Sequence, residues 1–205
     1  FTGPAYPVNP KYDEVLGRKC FRSISDLPGP VDLVFAAVPG EGTPAILEES
    51  ARCGVKAVVI NASGFADAGA EGRILQDRVA ALARDNGIAL CGPNNNGLMN
   101  FLDRTMLCVP SPPPGAKSGS VAVVSQSGSV SFALSRDRAR MGLAYVISAG
   151  NEAVLSVADY LSAVVRDERV RIVLLFLESI RRPAEFAAAA AGAGRLGKPV
   201  IAVKV

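Results

Sequence analysis

The chain has no histidine among its 205 residues. That absence excludes a Ser-His-Asp or Cys-His nucleophile, a His-ligated zinc and a His general base drawn from these residues. Any chemistry must rest on carboxylates, hydroxyls, backbone amides, Lys or Arg, or on a histidine supplied from elsewhere. Cysteine is sparse too. Cys20, Cys53, Cys91 and Cys108 stand 33, 38 and 17 positions apart with no CxxC pair, which argues against a metal or dithiol redox site. Free thiols in a reducing cytoplasm fit them better. The charge excess is only +3, and the charges are scattered, so no nucleic-acid partner is expected. No apolar run approaches the ~20 residues of a membrane span, and no signal peptide opens the chain, so no membrane partner is expected either.

What is present is ordinary globular material, 49% apolar and 20% charged. The chain opens mid-pattern at Phe1 and stops inside an apolar run ending at Val205, and it reads as a piece of something longer. Strand-length apolar runs are expected at Ala5 to Val8, Val31 to Val38, Ala57 to Asn61, Ile88 to Cys91, Thr105 to Val109, Val121 to Ser125, Ala144 to Ser148, Val170 to Leu177 and Val200 to Val205. Several lack polar alternation, the pattern of strands covered on both faces of a parallel α/β sheet. Helical patterns alternate with them: Thr43 to Arg52, Glu71 to Asn86 with Gly87 as a stop, Ser129 to Met141, the face Val157, Leu161, Val164, Val165, and Pro183 to Arg195. A Pro/Gly/Ser stretch over residues 111–118 reads as a linker between two α/β units, 1–110 and 119–205. Each unit looks incomplete. The first lacks an opening βα unit, and the second lacks its C-terminal part. Arg136, Arg138 and Arg140 alternate faces of a helix and read as solvated, whereas Arg181 and Arg182 follow a candidate site strand.

In open α/β sheets ligands bind beyond the carboxyl ends of strands. There the chain carries Val8-Asn9-Pro10-Lys11, Val38-Pro39-Gly40, Asn61-Ala62-Ser63-Gly64, Gly92-Pro93-Asn94-Asn95-Asn96-Gly97 and Glu178 after Leu177. Lys11 suits a phosphate, although a solvated turn lysine explains it equally. Three consecutive asparagines between glycines imply left-handed backbone and dense amide chemistry. The strongest local signal is Val124-Ser125-Gln126-Ser127-Gly128-Ser129, an apolar strand running into a Ser/Gly turn that opens a helix. Free N–H groups, hydroxyls and the positive helix end make that turn an anion site suited to a phosphoryl group, with a well-capped helix as the plainer reading. It is neither a G-x-S-x-G elbow nor a P-loop.

In order along the chain, Tyr6-Pro7-Val8-Asn9-Pro10-Lys11-Tyr12, Ala37-Val38-Pro39, Ser63-Gly64-Phe65, Gly92-Pro93-Asn94, Ser125-Gln126-Ser127-Gly128, Gly150-Asn151-Glu152 and Leu177-Glu178 resemble the NDP-forming acyl-CoA synthetases, relatives of the succinyl-CoA synthetase α subunit and ATP-citrate lyase. The resemblance implies a Rossmann-like CoA-binding domain followed by a flavodoxin-like ligase domain, both doubly wound. It implies an acid-thiol ligase that interconverts acyl-CoA, phosphate and NDP with acid, CoA and NTP through an acyl phosphate and a phosphohistidine. By it, Val8, Asn9, Pro10, Lys11, Val38, Pro39, Ser63 and Gly64 line the coenzyme A site, and Asn94 meets the thiol end at the reaction centre. Ser125, Gln126, Ser127 and Gly128 hold the phosphoryl group, and Glu178 orients the phosphorylated histidine. That histidine, and an ATP-grasp β-type domain or subunit binding the NTP with Mg, are expected outside these residues, within an oligomeric assembly. Where many relatives show Gly-Pro-Asn-Cys this chain has Asn95, so a cysteine contact is lost.

Two other readings stay open on residues alone. The alternation of strands and helices also suits an NAD(P)-binding domain, although no GxGxxG occurs. A non-catalytic CoA-responsive protein would use the same fold, since fold alone does not give function.

Overall fold

A computed structural model describes residues 3–109, 118–136 and 141–205. The elements in chain order are β1 Glu14–Val15, β2 Arg18–Lys19, β3 Leu33–Ala36, α1 Thr43–Arg52, β4 Ala57–Ile60, α2 Ala70–Asp85, β5 Ala89–Cys91, β6 Gly97–Asn100, β7 Thr105–Cys108, β8 Ser118–Ser125, α3 Gly128–Ser135, β9 Leu143–Ser148, α4 Val157–Val164, β10 Ile172–Leu177, α5 Pro183–Arg195 and β11 Val200–Lys204. No helix among the described residues is long and apolar enough to cross a membrane.

Strands β3, β4 and β5 form a parallel sheet in that order. Right-handed crossovers between strands laid down in sequence put both helices on one face. The side chains show this directly. Val58, Ile60 and Leu90 pack with Leu47 of α1 and Val79 and Ala83 of α2. The intervening residues, Val59 and Cys91, point the other way and share a core with Val157, Tyr160 and Leu161 of α4. The second face of this sheet is therefore covered by the second unit, which completes the double winding across the two.

The second sheet has the order β11-β10-β8-β9-β6-β7. Strands β8 to β11 are parallel, in the spatial order 2-1-3-4 of flavodoxin-like folds. Ala122 and Val124 of β8 face α4 and α5, while Val123 faces a cluster with Met99, Phe101 and, from α3, Leu134. Burial on both faces is why the run Val121 to Val124 shows no polar alternation.

Several local expectations resolve differently. Ala5 to Val8 forms no strand; Val8 makes one isolated parallel bridge to Phe21. Thr105–Cys108 is a strand, yet it and the unforeseen β6 form an antiparallel pair on the second sheet, joined through β9. The tight connection keeps them together, and the Phe101 N–H donates to Ala144 O at 2.9 Å. The expected linker over 111–117, together with Arg138 and Arg140, lies outside the described residues, whereas Ser118 opens β8.

Candidate functional site

Beta8 and β10 are neighbours, and the connection from β8 runs outward to β9 on one side while that from β10 runs outward to β11 on the other. A crevice at the carboxyl ends follows from that topology. It is a cleft of about 500 Å³. The first unit contributes Asn61, Ala62, Ser63 and Asn94 to Asn96. The second contributes Gln126 to Ser129, Gly150, Asn151 and Glu178.

The turn after β8 is held from inside. Ser125 is fully buried, and its Oγ donates to Ser127 O at 2.8 Å and accepts from Ser127 N at 3.1 Å. Its task is to shape the turn, and its hydroxyl is not open to a ligand. Gln126 is likewise buried and reaches sideways to β10. Its Oε1 accepts from the N–H groups of Glu178 (2.5 Å) and Ser179 (2.9 Å), and its Nε2 donates to Ser179 O at 2.9 Å. Both are buried, Ser125 as the last residue of β8 and Gln126 as the first of the turn, whereas Ser127 and Gly128 are half-buried. Ser127 caps α3 by accepting from Val130 N at 3.4 Å, and its Oγ is 3.0 Å from that of Ser129. Among the described residues the N–H groups of Gly128 and Ser129 make no hydrogen bond, as first-turn donors do not.

The asparagine loop divides its labour. Asn95 is buried and structural, with Nδ2 donating to Ile60 O at 2.9 Å and Oδ1 accepting from Gly97 N. Asn96 ties the loop to the other unit, donating from Nδ2 to Gly128 O at 2.7 Å and from its N–H to Ser148 Oγ at 3.1 Å. Asn94 adopts φ +57°, is exposed, and donates to Asn151 Oδ1 at 3.2 Å. Asn151 in turn donates to Asp67 Oδ1 (2.7 Å) and Gln76 Oε1 (3.0 Å). Burial works to raise the Asp67 carboxyl, but the Asn151 amide and the backbone N–H groups of Gly64, Asp67 and Phe65 outweigh it and hold it below its ordinary value.

Glu178 is exposed and is, among the described residues, the one charged side chain lining the cleft. The chain just before α4 carries a second carboxylate, Glu152, at φ +55° with 6% of its surface exposed. Burial raises its carboxyl above the ordinary value, opposed by Gln126, the Val157 N–H, Arg181 and Arg182. No group of three or more His, Cys, Asp or Glu among the described residues could hold a metal ion.

Of the residues singled out by sequence, the fold brings Ser63, Asn94, Gln126, Ser127, Gly128 and Glu178 to one cleft. Gly64 adjoins it at φ +92°. Val38 and Pro39 follow β3, and Val8 to Lys11 form an Asx turn in which Asn9 Oδ1 accepts from Lys11 N at 2.9 Å; none of these lines the cleft. Sequence reasoning put Asn61 in a strand-exit ligand loop and Asn151 and Glu152 in a run quoted for the resemblance, but gave none of the three a role of its own. The position of Gly150-Asn151-Glu152 just past the carboxyl end of β9 was the available signal.

Residues 2–100 match the family model of a CoA binding domain, and residues 118–205 that of a succinyl-CoA ligase like flavodoxin domain. A trans-feruloyl-CoA synthase from an unknown prokaryotic organism is 38% identical over 209 residues, covering 98% of this chain and 29% of that protein. An ADP-forming acetate–CoA ligase of Archaeoglobus fulgidus is 33% identical, covering 100% of this chain and 30% of that one. Among solved structures, the apo form of the dinucleotide-forming acetyl-coenzyme A synthetase 1 of Ca. Korarchaeum cryptofilum superposes with a TM-score of 0.91 at 31% identity, over 100% of this chain and 44% of that one. The same enzyme in complex with phosphate and ADP matches equally well. This chain thus spans less than half the length of each of these proteins.

Proposed function

We propose that this chain, which belongs to the NDP-forming acyl-CoA synthetases, supplies the CoA site and the phosphoryl-binding turn of an enzyme joining a carboxylic acid to CoA with conversion of NTP to NDP and phosphate. Run in reverse, phosphate attacks the acyl-CoA carbonyl, CoA leaves as the thiol, and an acyl phosphate remains. Its phosphoryl group passes to a histidine nitrogen, releasing the acid, and then to NDP. The observation that carries this reading is the convergence of loops from the CoA-binding match with the Ser127–Gly128–Ser129 helix start and Glu178 on one cleft.

Phosphoryl transfer needs positioning and charge compensation more than a potent side-chain nucleophile. The unpartnered N–H groups of Gly128 and Ser129, the Ser127 hydroxyl and the positive end of α3 offer that compensation. Ser125 and Gln126 support the turn from behind. Glu178 would accept one imidazole N–H and so leave the other ring nitrogen free to take the phosphoryl group. Asn94, held by Asn151, stands where the thiol end would enter, and Val8, Asn9, Pro10, Lys11, Val38, Pro39, Ser63 and Gly64 would carry the rest of CoA. An ATP-grasp β-type domain or subunit would bring the nucleotide and Mg. The relatives named above as an acetate–CoA ligase and a feruloyl-CoA synthase support a small-molecule acid as the second substrate.

The test uses the full-length protein with [γ-32P]ATP. The expected product is acid-labile label on a histidine, necessarily outside these residues because none lies within them. Added acid and CoA should discharge it, and Glu178→Gln should slow labelling sharply while leaving CoA affinity unchanged. Acid-stable label, or none, refutes the reading.

A further inference from the structure

The electrostatics of the cleft are unbalanced for the group it is proposed to hold. Its lining carries the Glu178 carboxylate and no lysine or arginine among the described residues. A phosphate or acyl phosphate adds more negative charge beside it. Two amides and a helix end offset part of that charge, but a mobile cation close by would offset far more.

Arg181 and Arg182 leave β10 three and four residues after Glu178, and they are held very differently. Arg182 is pinned: its guanidinium donates to Ser156 Oγ at 2.8 Å and 3.2 Å and also pairs with Asp159. Arg181 is loose. Its side chain is 48% exposed, and among the described residues its one ion pair is a 3.8 Å approach to Glu152 Oε2. Glu152 is in the opposite state, with a side chain 1% exposed. Its Oε1 accepts from the Val157 N–H at 2.8 Å, while the buried Oε2 meets no donor in hydrogen-bond geometry among the described residues, the nearby Gln126 amide being engaged by Ser179 O. A buried carboxylate oxygen without a donor, on a residue of left-handed backbone, is a costly arrangement that a fold keeps only for a reason.

We infer that Arg181 is the phosphate-responsive cation of this cleft, resting on the buried Glu152 and released toward the phosphoryl group when it binds. The void holding Glu152 and Arg181 is walled by Ser179, which Gln126 bonds from the cleft side. Three residues of extended chain span at most about 10 Å, so Arg181 and Glu178 serve the same neighbourhood. Glu152 suits the resting role because its grip is weak. A pair that long, without a hydrogen bond and half open to water, contributes little and gives way to a better anion. Burial also disfavours the ionised form of Glu152, which loosens the pair further. This inference rests on the phosphoryl reading of the cleft.

The experiment is phosphate-dependent acyl-CoA cleavage by the full-length enzyme, with inorganic phosphate varied and CoA and ADP saturation measured alongside. Arg181→Gln should raise half-saturating phosphate about tenfold, the loss of one charge-assisted contact, with ADP and CoA saturation unchanged. Arg181→Lys should recover part of the loss. Glu152→Gln keeps the Val157 contact, frees the arginine, and should leave half-saturating phosphate equal or lower. A merely structural pair predicts instead that Arg181→Gln and Glu152→Gln fail alike, and that result overturns the inference, as does an unchanged phosphate response in Arg181→Gln. Should Arg181→Gln not fold, Arg181→Lys set against Glu152→Gln makes the same distinction. If the wild-type enzyme shows no phosphate-dependent turnover, the reading of the cleft falls and the inference with it, whereas normal wild-type turnover with an indifferent Arg181 sinks the inference alone.

Discussion

Replacing Gln126 by methionine keeps side-chain length and removes all three hydrogen bonds to the segment that carries Glu178. Each such bond contributes about 0.5–1.5 kcal/mol net, and more when its partner is left dry. Glu178 and Ser179 are themselves exposed, so their freed groups find water after a small shift, and the low end applies. A total near 1.5 kcal/mol is therefore expected, confined to the exit of β10. At about 1.4 kcal/mol per factor of ten, that is a loss of roughly 12-fold in protection of the Glu178 and Ser179 amides against hydrogen exchange.

The assay is hydrogen exchange read by mass spectrometry on the full-length protein, with Val173 and Leu175 in the interior of the same strand as internal reference. The reasoning fails if protection at 178–179 changes by less than about twofold, an effect too small for even one of the three bonds. It fails in a more informative way if protection is unchanged while half-saturating phosphate rises. Gln126 would then face the ligand, as its place in the Ser-Gln-Ser-Gly motif first suggested.

Three further outcomes follow from the packing. Gly150→Ala should destabilise the protein by about 2–4 kcal/mol in urea unfolding, since its φ is +63° and a Cβ would lie 2.2 Å from Pro93 O. Gly54→Ala, at φ +73° with nothing within 4 Å, should cost only about 1 kcal/mol, and equal costs at the two positions would refute the clash. Asn151→Ala should let the Asp67 carboxyl rise toward its ordinary value of 3.8. A carboxyl held low contributes stability above that pH and loses it as pH falls through the folded value, so the variant should lose less stability on acidification below 3.8, checked by urea midpoints at two pH values. The Cys91 thiol is pushed up to about 11 by burial, against a Tyr160 contact that works to lower it. It should resist iodoacetamide in the native protein while the half-buried Cys53 reacts, and equal labelling of both would refute the burial. Its contribution to stability is fully present below 9.0 and fades as pH rises toward 11.

The parallel strands were legible because burial on both faces removes polar alternation, and Val121 to Val124 or Val170 to Leu177 show that without any partner in view. Strand β7 was legible too, but β6 and the place of the pair on the second sheet were not, since Asn100 of β6 pairs with Tyr145 of β9, far off in sequence. Glycine and asparagine around it read as turn. The β1–β2 hairpin is two residues a side, too short for any period to register. At the site, Ser127, Gly128 and Glu178 were readable because strand exits and helix starts have local signatures. The inward aim of Ser125 and Gln126 was not, because it depends on strand register against β10. Glu152 was silent for a related reason: a glutamate beside an asparagine reads as solvated loop, and only the docking of the first sheet onto α4 buries its neighbourhood.

That docking also decides what moves. Backbone bonds run from Asn151 N to Pro93 O at 2.8 Å, from Ala153 N to Gly92 O at 3.0 Å and from Leu155 N to Leu90 O at 3.2 Å, so the loop after β9 pairs with the end of β5 almost as a further strand. Arg84 adds a 2.7 Å bond to Ala153 O, and Val59 and Cys91 lie in one core with Tyr160 and Leu161. Separating the two walls of the cleft would break all of these bonds and open that core to water, a cost far above that of moving a side chain. The two walls of the cleft are therefore expected to stay together as one body. The distance from Asn94 to the α3 helix start is fixed, and the parts free to respond to a ligand are the side chains with weak anchors, Arg181 first among them.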